Sequence, residues 1–457
     1  MNSDPRQILD SSSMTRMQYL IIGLTLGLNA LDGFDVLAIS FAAPGIAEEW
    51  GLGNAGLGFV LSMELIGMAV GSVFLGGVAD KVGRRPTILG CLFAMGIGMF
   101  MVTTTSSLTE LSIWRVLTGL GIGGMLASIN AVAAEFSNGK KRALAISTMA
   151  IGYPIGGVVG GLVVSDLLRE FDWRIVFYFG TSVTVLFIPL VYFFMPESVH
   201  WLARKQPVGA LDKINATMKR LGHSIVDALP DIDPATRKVS TSFLFSKTMV
   251  WTTILVTAAY FLHVITLYYI LKWTPKLVVD MGFAANFAGE ALTWASLGGV
   301  LGCLFFGILS IRFSLKSLTI FTFVMAWVFT AVFGRAPADL ETIKIYAAMA
   351  GFFTNAGIVG MYAILAQVFP THARASGTGF AIGIGRGGSV LSPIIAGYLL
   401  ESGLDLPTLS IIMGAGSLVA AVILLGLKMD SGNSSTDSKT ANKVGGLDEN
   451  SAKPTPT

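Results

Sequence analysis

Two carboxylates, Asp32 and Asp35, interrupt an otherwise apolar run that extends from Leu28 to Phe41. A charged side chain at the centre of a membrane helix costs about 2.5 to 3.5 kcal/mol on insertion scales, so it usually faces a bundle interior and handles protons, ions or substrate. The spacing places both carboxylates on one side of a helix. Because two neighbouring carboxylates do not readily ionise together, we expect this pair to load and release a proton, which the sequence assigns to neither residue.

Two arginines, Arg115 and Arg386, also lie inside apolar runs. At 1.5 Å per residue, Arg115 and Asp32 both fall about 20 Å above the inner ends of their spans, which predicts an ion pair between them. Such a pair would take part in proton coupling. The alternative is a static pair that only holds the first and fourth spans together.

Arg386 lies about 18 Å beyond Arg374, which stands at the inner end of the eleventh span. Glycines surround it and would let a ligand or a helix approach closely. Because a guanidinium pairs well with a carboxylate, we predict that Arg386 is the main receptor for an anionic substrate. The alternative is a salt bridge to the helix that carries Glu64.

Composition indicates the elements that position these side chains: 53% of the residues are hydrophobic and 13% are charged. Apolar stretches of about 20 residues predict twelve transmembrane helices, the seventh of them over 248–271. The predicted segments are an N-terminal arm (1–17), a six-helix bundle (18–195), a linker with an amphipathic helix at 210–221 (196–247), a second six-helix bundle (248–427) and a disordered tail (428–457).

Most of the 31 lysines and arginines fall on the side of the two termini, and few, Lys272 among them, fall on the opposite side. The positive-inside rule therefore predicts that both termini, the linker and the tail are cytoplasmic.

The sequence repeats at an offset of 231 residues, since Gly71, Gly76, Lys81 and Arg85 correspond to Gly302, Gly307, Arg312 and Lys316. The repeat predicts an all-α membrane protein with two pseudo-symmetric six-helix bundles and a site between them near the midplane. The same offset places His263 opposite Asp32, and His263 is therefore a candidate to bind substrate or assist proton transfer. A packed histidine bonded to a backbone carbonyl is the alternative.

The loop between the second and third spans runs from Gly76 to Pro86 and contains Asp80, Arg84 and Arg85. It resembles the signature loop of the major facilitator superfamily, Gly-x-x-x-Asp-Arg/Lys-x-Gly-Arg-Arg/Lys, with every position filled. We expect Gly76 to allow close helix contact and Asp80 to bind an arginine or a helix end. The second copy has Ile311 in place of Asp80, so any conformational latch there should be weaker.

A narrower resemblance is carried by Asp32-Gly-Phe-Asp35, with Arg115 in the fourth span, Glu135 at its inner end, and Arg374 and Arg386 around the eleventh span. It is similar to the aromatic acid:proton symporter family of that superfamily. This implies proton-driven import of benzoate-like or hydroxybenzoate-like anions across a bacterial inner membrane, with Glu135 among the coupling residues. At a cytoplasmic helix end, Glu135 and Arg374 also suit a gating ion-pair network.

Aromatic and polar residues at helical spacings are candidates to line an aromatic pocket: Tyr153, Tyr260, Tyr268, Phe352, Asn355 and Tyr362. Most aromatic residues of a membrane bundle pack or form interface belts, which is the alternative here.

The sequence therefore predicts a transporter rather than an enzyme, since no nucleophile with a base and no metal cluster stands in a plausible pocket. The expected partners are a small aromatic carboxylate, protons and the bilayer, with no cofactor, metal or nucleic acid, and we expect a monomer. A proton-coupled exporter or drug antiporter of the same superfamily is the alternative, and a membrane sensor of aromatic acids is a more distant one.

Overall fold

The computed structural model describes residues 4–230, 241–370 and 373–427. The predicted disordered tail (428–457) and part of the linker lie outside these residues. Within them the chain forms fifteen α-helices and a short 3-10 turn, Thr241–Phe245. Twelve of the helices are long and apolar enough to cross a membrane. The all-α fold with twelve spans is therefore confirmed.

The first half begins with a short helix and continues with six spanning helices. They are α1 (Pro5–Ser11), α2 (Arg16–Trp50), α3 (Asn54–Val82), α4 (Arg84–Val102), α5 (Leu108–Glu135), α6 (Arg142–Leu167) and α7 (Arg174–Phe194). Two short helices follow in the linker, α8 (Val199–Lys205) and α9 (Ala210–Leu221).

The second half contains six further spanning helices. They are α10 (Val250–Asp280), α11 (Ala285–Leu309), α12 (Leu315–Phe333), α13 (Leu340–Val368), α14 (Arg374–Glu401) and α15 (Leu406–Leu425). We call the end where α2 begins the inner end and the end where it finishes the outer end.

Helix α10 is longer than the sequence predicts, because it continues past residue 271 to Asp280. Lys272 therefore lies inside a spanning helix and is fully buried. Its assignment to an outer loop is wrong, and moving it strengthens the charge asymmetry between the two sides. The hydropathy signal ended early because a lysine followed by Trp273, Thr274 and Pro275 resembles the end of a span.

Glycines set the closest helix contacts. A Cβ added at Gly119 of α5 would collide with the backbone carbonyl of Glu64 on α3, and one at Gly33 of α2 with that of Tyr153 on α6. Gly76 does not play this part, since a Cβ there would meet the Cβ of Ala127 at an ordinary 3.8 Å. The close helix contact expected at Gly76 is therefore not formed there. Helices α3 and α5 instead touch at positions such as Gly119.

The two halves meet at the outer end. Ser62 of α3 donates a hydrogen bond to the carbonyl of Val390 on α14 at 2.8 Å, and Arg169 pairs with Glu290 at 3.3 Å. Gly58 is so close to the carbonyl of Pro393 that a side chain would not fit. Towards the inner end, beyond the contact of Arg386 with Met68, no side-chain hydrogen bond or ion pair joins the halves among the described residues. The structure is thus closed at the outer end and open at the inner end.

The glycine contacts give a stability prediction. Gly119→Ala should destabilise the fold by about 1 to 3 kcal/mol, because a methyl group cannot enter a backbone contact without moving α3. Gly76→Ala should be neutral, or stabilising by up to about 1 kcal/mol, because alanine has the higher helix propensity. Thermal melting of both variants in detergent measures the difference, and equal melting temperatures would contradict the packing described.

Candidate functional site

A cluster of charged side chains is buried between the halves. Arg115 of α5 binds Glu64 of α3 at 2.5 Å, and both side chains are fully buried. Lys272 of α10, in the other half, lies 3.4 Å from the same carboxylate and also donates a hydrogen bond to the carbonyl of Val36. Arg115 donates a second bond to the carbonyl of Asp35 at 3.1 Å. One glutamate is therefore shared by two cations from opposite halves.

The spacing of Arg115 and Gly119 explains how this pair is positioned. Gly119 lies one helical turn from Arg115, on the same side of α5. Since Gly119 admits the α3 backbone at Glu64, the glutamate is held beside the guanidinium. Gly33 similarly admits the α6 backbone at Tyr153, beside the two aspartates.

Asp32 and Asp35 lie next to this cluster and are 1% and 0% exposed. None of their carboxylate oxygens has a hydrogen-bond partner among the described residues. The predicted ion pair between Asp32 and Arg115 is not formed, because Glu64 from the adjacent helix occupies the guanidinium. The aspartates are brought together as predicted but are free of a fixed partner.

The cluster contains three carboxylates and two cations. An uncompensated charge in a buried site costs several kcal/mol. With the charge of Glu64 shared by two cations, one ionised aspartate and one protonated aspartate give a neutral site. The arrangement can therefore hold a single exchangeable proton, and among the described residues no three His, Cys, Asp or Glu side chains are placed to hold a metal ion together.

Arg386 of α14 is half-buried, and it donates a hydrogen bond to the carbonyl of Met68 at 3.2 Å. It forms no ion pair with any described carboxylate, and Glu64 is taken by Arg115 and Lys272 instead. The alternative of a salt bridge to the helix of Glu64 is thus not realised. The guanidinium keeps donors for a ligand.

Tyrosines surround Arg386. The hydroxyls of Tyr260 and Tyr362 lie 3.3 Å apart with ring centroids 5.9 Å apart. Arg386 is close enough to Tyr260 and Tyr268 to act electrostatically on both hydroxyls. The hydroxyl of Tyr153 is buried beside that of Tyr268. Four of the predicted pocket residues are thus brought to one region.

The structure places His263 elsewhere. It is fully buried in the second half, with Nδ1 2.8 Å from the hydroxyl of Ser417 and Nε2 2.9 Å from the carbonyl of Thr354. Its ring stacks on Phe323 at 4.0 Å. Both nitrogens are bonded within the bundle, which favours the packed alternative over contact with substrate.

Phe352 and Asn355 lie at the contact between α13 and α11. Phe352 packs against Phe353 and Phe305, and its carbonyl faces Gly302. The side chain of Asn355 donates to Gly351 in its own helix at 2.9 Å. These contacts are those of packing residues, and they do not join the tyrosines around Arg386.

The signature loop forms a separate network at the inner end. Arg84 binds Asp80 at 2.8 Å and Glu135 at 3.2 Å, and Asp80 also binds Arg204 of α8 at 3.0 Å. Glu135 is therefore tied to this loop and not to the aspartates. Two cations that were predicted for the same region, Arg85 and Arg374, are not part of this network. Arg85 stacks on a tyrosine ring at 5.0 Å, and Arg374 is exposed without an ion pair among the described residues.

Sequence reasoning missed the roles of Glu64 and Lys272. For Glu64 a signal was present, since it is an acidic residue near the middle of an apolar span. For Lys272 the signal was its position three residues before Pro275, because a spanning helix can continue through a proline. Helix α10 does so.

Comparisons with known proteins agree with this architecture. A sequence profile of the Major Facilitator Superfamily matches residues 25–289 and 258–452. The chain is 26% identical to a gallate transporter of Pseudomonas putida, over 92% of this chain and 94% of that protein. It is 28% identical to the 4-hydroxybenzoate transporter PcaK of Acinetobacter baylyi, over 87% and 88%. The predicted resemblance to transporters of aromatic acids is confirmed by these relatives.

Among solved structures, a partially occluded inward open conformation of the xylose transporter XylE from E. coli matches with a TM-score of 0.71 and 16% identity. It covers 92% of this chain and 99% of that one. This likeness concerns the fold. The spanning helices and the bacterial relatives together identify a multi-pass protein of the bacterial inner membrane.

The contacts of His263 lead to a prediction. His263→Ala should lower stability by about 2 to 4 kcal/mol, because it leaves a cavity and two unpaired buried partners. The KM for substrate should stay within about twofold, since the ring does not reach the cleft. Melting temperature and uptake kinetics of the purified variant measure the two effects. A raised KM at an unchanged melting temperature would return His263 to the substrate site.

Proposed function

The chain belongs to the Major Facilitator Superfamily, and we propose that it is a symporter that imports a small aromatic carboxylate together with protons. Transport rather than catalysis follows from the family. The observation that carries the substrate class is Arg386, a cation deep in the fold that has no carboxylate partner in the described chain and lies among tyrosines.

Substrate binding would use this arginine as the anion receptor. A guanidinium can offer two parallel N–H donors to a carboxylate, so it also orients the attached ring. Tyr260, Tyr268 and Tyr153 offer ring faces and hydroxyl groups at the same place. A benzoate or hydroxybenzoate ring fits this chemistry, and relatives named for gallate and 4-hydroxybenzoate support the class.

Proton coupling would use Asp32 and Asp35, whose carboxylates are buried without fixed partners. The membrane potential opposes the entry of a lone anion by about 2.3 kcal/mol per 100 mV. One accompanying proton cancels this cost, and a second makes the potential favour uptake. The charge cluster described above is suited to hold such a proton in a site shared with no other ligand.

Alternating access would then follow from the two halves. The structure is closed at the outer end and open at the inner end, which corresponds to the state that releases substrate inside if both termini are cytoplasmic. The network of Asp80, Arg84, Glu135 and Arg204 joins the inner ends of α3, α4 and α5 to the linker. We assign it to conformational control rather than to proton transfer.

The anion receptor can be tested by binding. Arg386→Ala should weaken 4-hydroxybenzoate binding about 10- to 150-fold, since a hydrogen-bonded charge contributes about 1.5 to 3 kcal/mol. Isothermal titration of the purified protein measures the affinity. Arg312→Ala, which removes an exposed inner arginine, is the matched control and should leave it unchanged. An unaltered affinity in Arg386→Ala would move the anion site elsewhere.

The proton site can be tested by transport. Asp32→Asn and Asp35→Asn should each abolish uphill uptake in proteoliposomes with an imposed pH gradient. The reason is that an amide side chain does not bind and release a proton at the pH values of the assay. Exchange of labelled for unlabelled substrate at equal pH should persist. Asp212→Asn on the exposed face of α9 is the control. Full proton-driven accumulation by either variant would remove that residue from the coupling site, and driven efflux would identify an exporter.

A further inference from the structure

Lys272 is the one member of the buried charge cluster that comes from the second half, as far as the described residues show. It lies eight residues before the outer end of α10 and crosses the interface to reach Glu64 of α3 and the carbonyl of Val36 on α2. One cation is enough to compensate the charge of Glu64, and here two cations bind it. The position suggests a role that depends on the contact between the halves.

We propose that Lys272 makes the proton affinity of the carboxylate cluster depend on the conformational state, so that closing the outer end displaces a proton towards the inside. This inference rests on the proposed proton symport. It adds a coupling residue from the second half to the aspartates of the first.

The charged and titratable groups of the cluster and its surroundings come from several helices. They are Asp32 and Asp35 on α2, Glu64 on α3, Cys91 on α4, Arg115 on α5, Tyr153 on α6, Tyr268 on α10 itself and Arg386 on α14. Among these, the three carboxylates and Arg115 belong to the first half and move together. Lys272 is the charge that can leave them.

Opening the outer end must separate α10 from α2 and α3, because the contacts of the halves lie there. Ser62 and Val390, and Arg169 and Glu290, join the halves in the same region. When Lys272 withdraws, three carboxylates face one cation, and neutrality then requires two protons instead of one, so the cluster binds a second proton from the outer solution. That proton bonds to a carboxylate oxygen of the cluster.

Closing the outer end returns the ammonium group to Glu64. Arg115 and Lys272 then both compensate carboxylate charge, which favours the ionised form. The second proton then leaves its carboxylate for the inner solution, and the remaining proton keeps the cluster neutral. Symport needs strong proton binding outside and weak binding inside, and the movement of this one cation supplies that difference.

The test uses full-length protein in proteoliposomes, with labelled 4-hydroxybenzoate as the probe. Lys272→Gln should reduce net uptake at lumen pH 7 at least tenfold, because the carrier retains its proton. Exchange at equal pH should stay within about twofold of the wild type. The lumen pH that gives half-maximal uptake should rise by about one to two units. Lys272→Arg should behave as the wild type.

A double variant keeps the test decisive if Lys272→Gln alone does not fold. Lys272→Gln with Glu64→Gln removes one charge of each sign and restores the charge balance of the closed state, so the lumen pH for half-maximal uptake should return to the wild-type value. No cation then moves between the states, so the outer pH needed for half-maximal uptake should be about one to two units lower than in the wild type, and an unshifted outer pH would contradict the role of the movement. Equal loss of uptake and exchange in Lys272→Gln, without recovery at high lumen pH or in the double variant, would overturn the proposal. Unchanged coupling in Lys272→Gln would overturn it as well. Failure of the wild type to show gradient-driven uptake would refute the symport itself.

Discussion

The buried ion pair of Glu64 and Arg115 is the interaction on which the site depends. Neither charge is tolerable alone in this environment, so each fixes the helix of the other. The pair is possible because Gly119 lets the backbones of α3 and α5 touch beside it. By occupying the guanidinium it leaves Asp32 and Asp35 without a fixed partner. Under the proposed symport, the aspartates are available for protons because another carboxylate has taken the structural role.

The halves carry different chemistry on a common scaffold. Carboxylates concentrate in the first half, and the second half places Arg386 among tyrosines and sends Lys272 across the interface. At the position that the repeat matches to Asp32, the second half has a histidine bonded on both ring nitrogens. Pseudo-symmetry therefore preserves helix packing while the function of matching positions diverges. In the proposed symport, coupling between substrate and protons has to pass through the contact of the halves.

The sequence predicts the fold well because span length, hydropathy and the repeat are local signals. It also identifies Asp32, Asp35, Arg115 and Arg386, since charges in apolar runs are costly. It misplaces the partner of Arg115, because depth along a helix does not tell which neighbour faces it. It assigns Lys272 to an outer loop, because the predicted span ends before Pro275 and α10 continues through that proline. The misassigned pocket residues Phe352 and Asn355 show that helical spacing does not say which neighbour a face meets.

The outer closure described at Gly58 and Pro393 is made by backbone against backbone. Gly397 of α14 touches the carbonyl of Asn54 in the same way. Such contacts limit how far the two halves can close at the outer end. Their position is set by the main chain and does not depend on side-chain rotamers. The tyrosines near Arg386 are not among these contacts. Under the proposed function, substitutions in the pocket therefore change the substrate without altering how far the halves close.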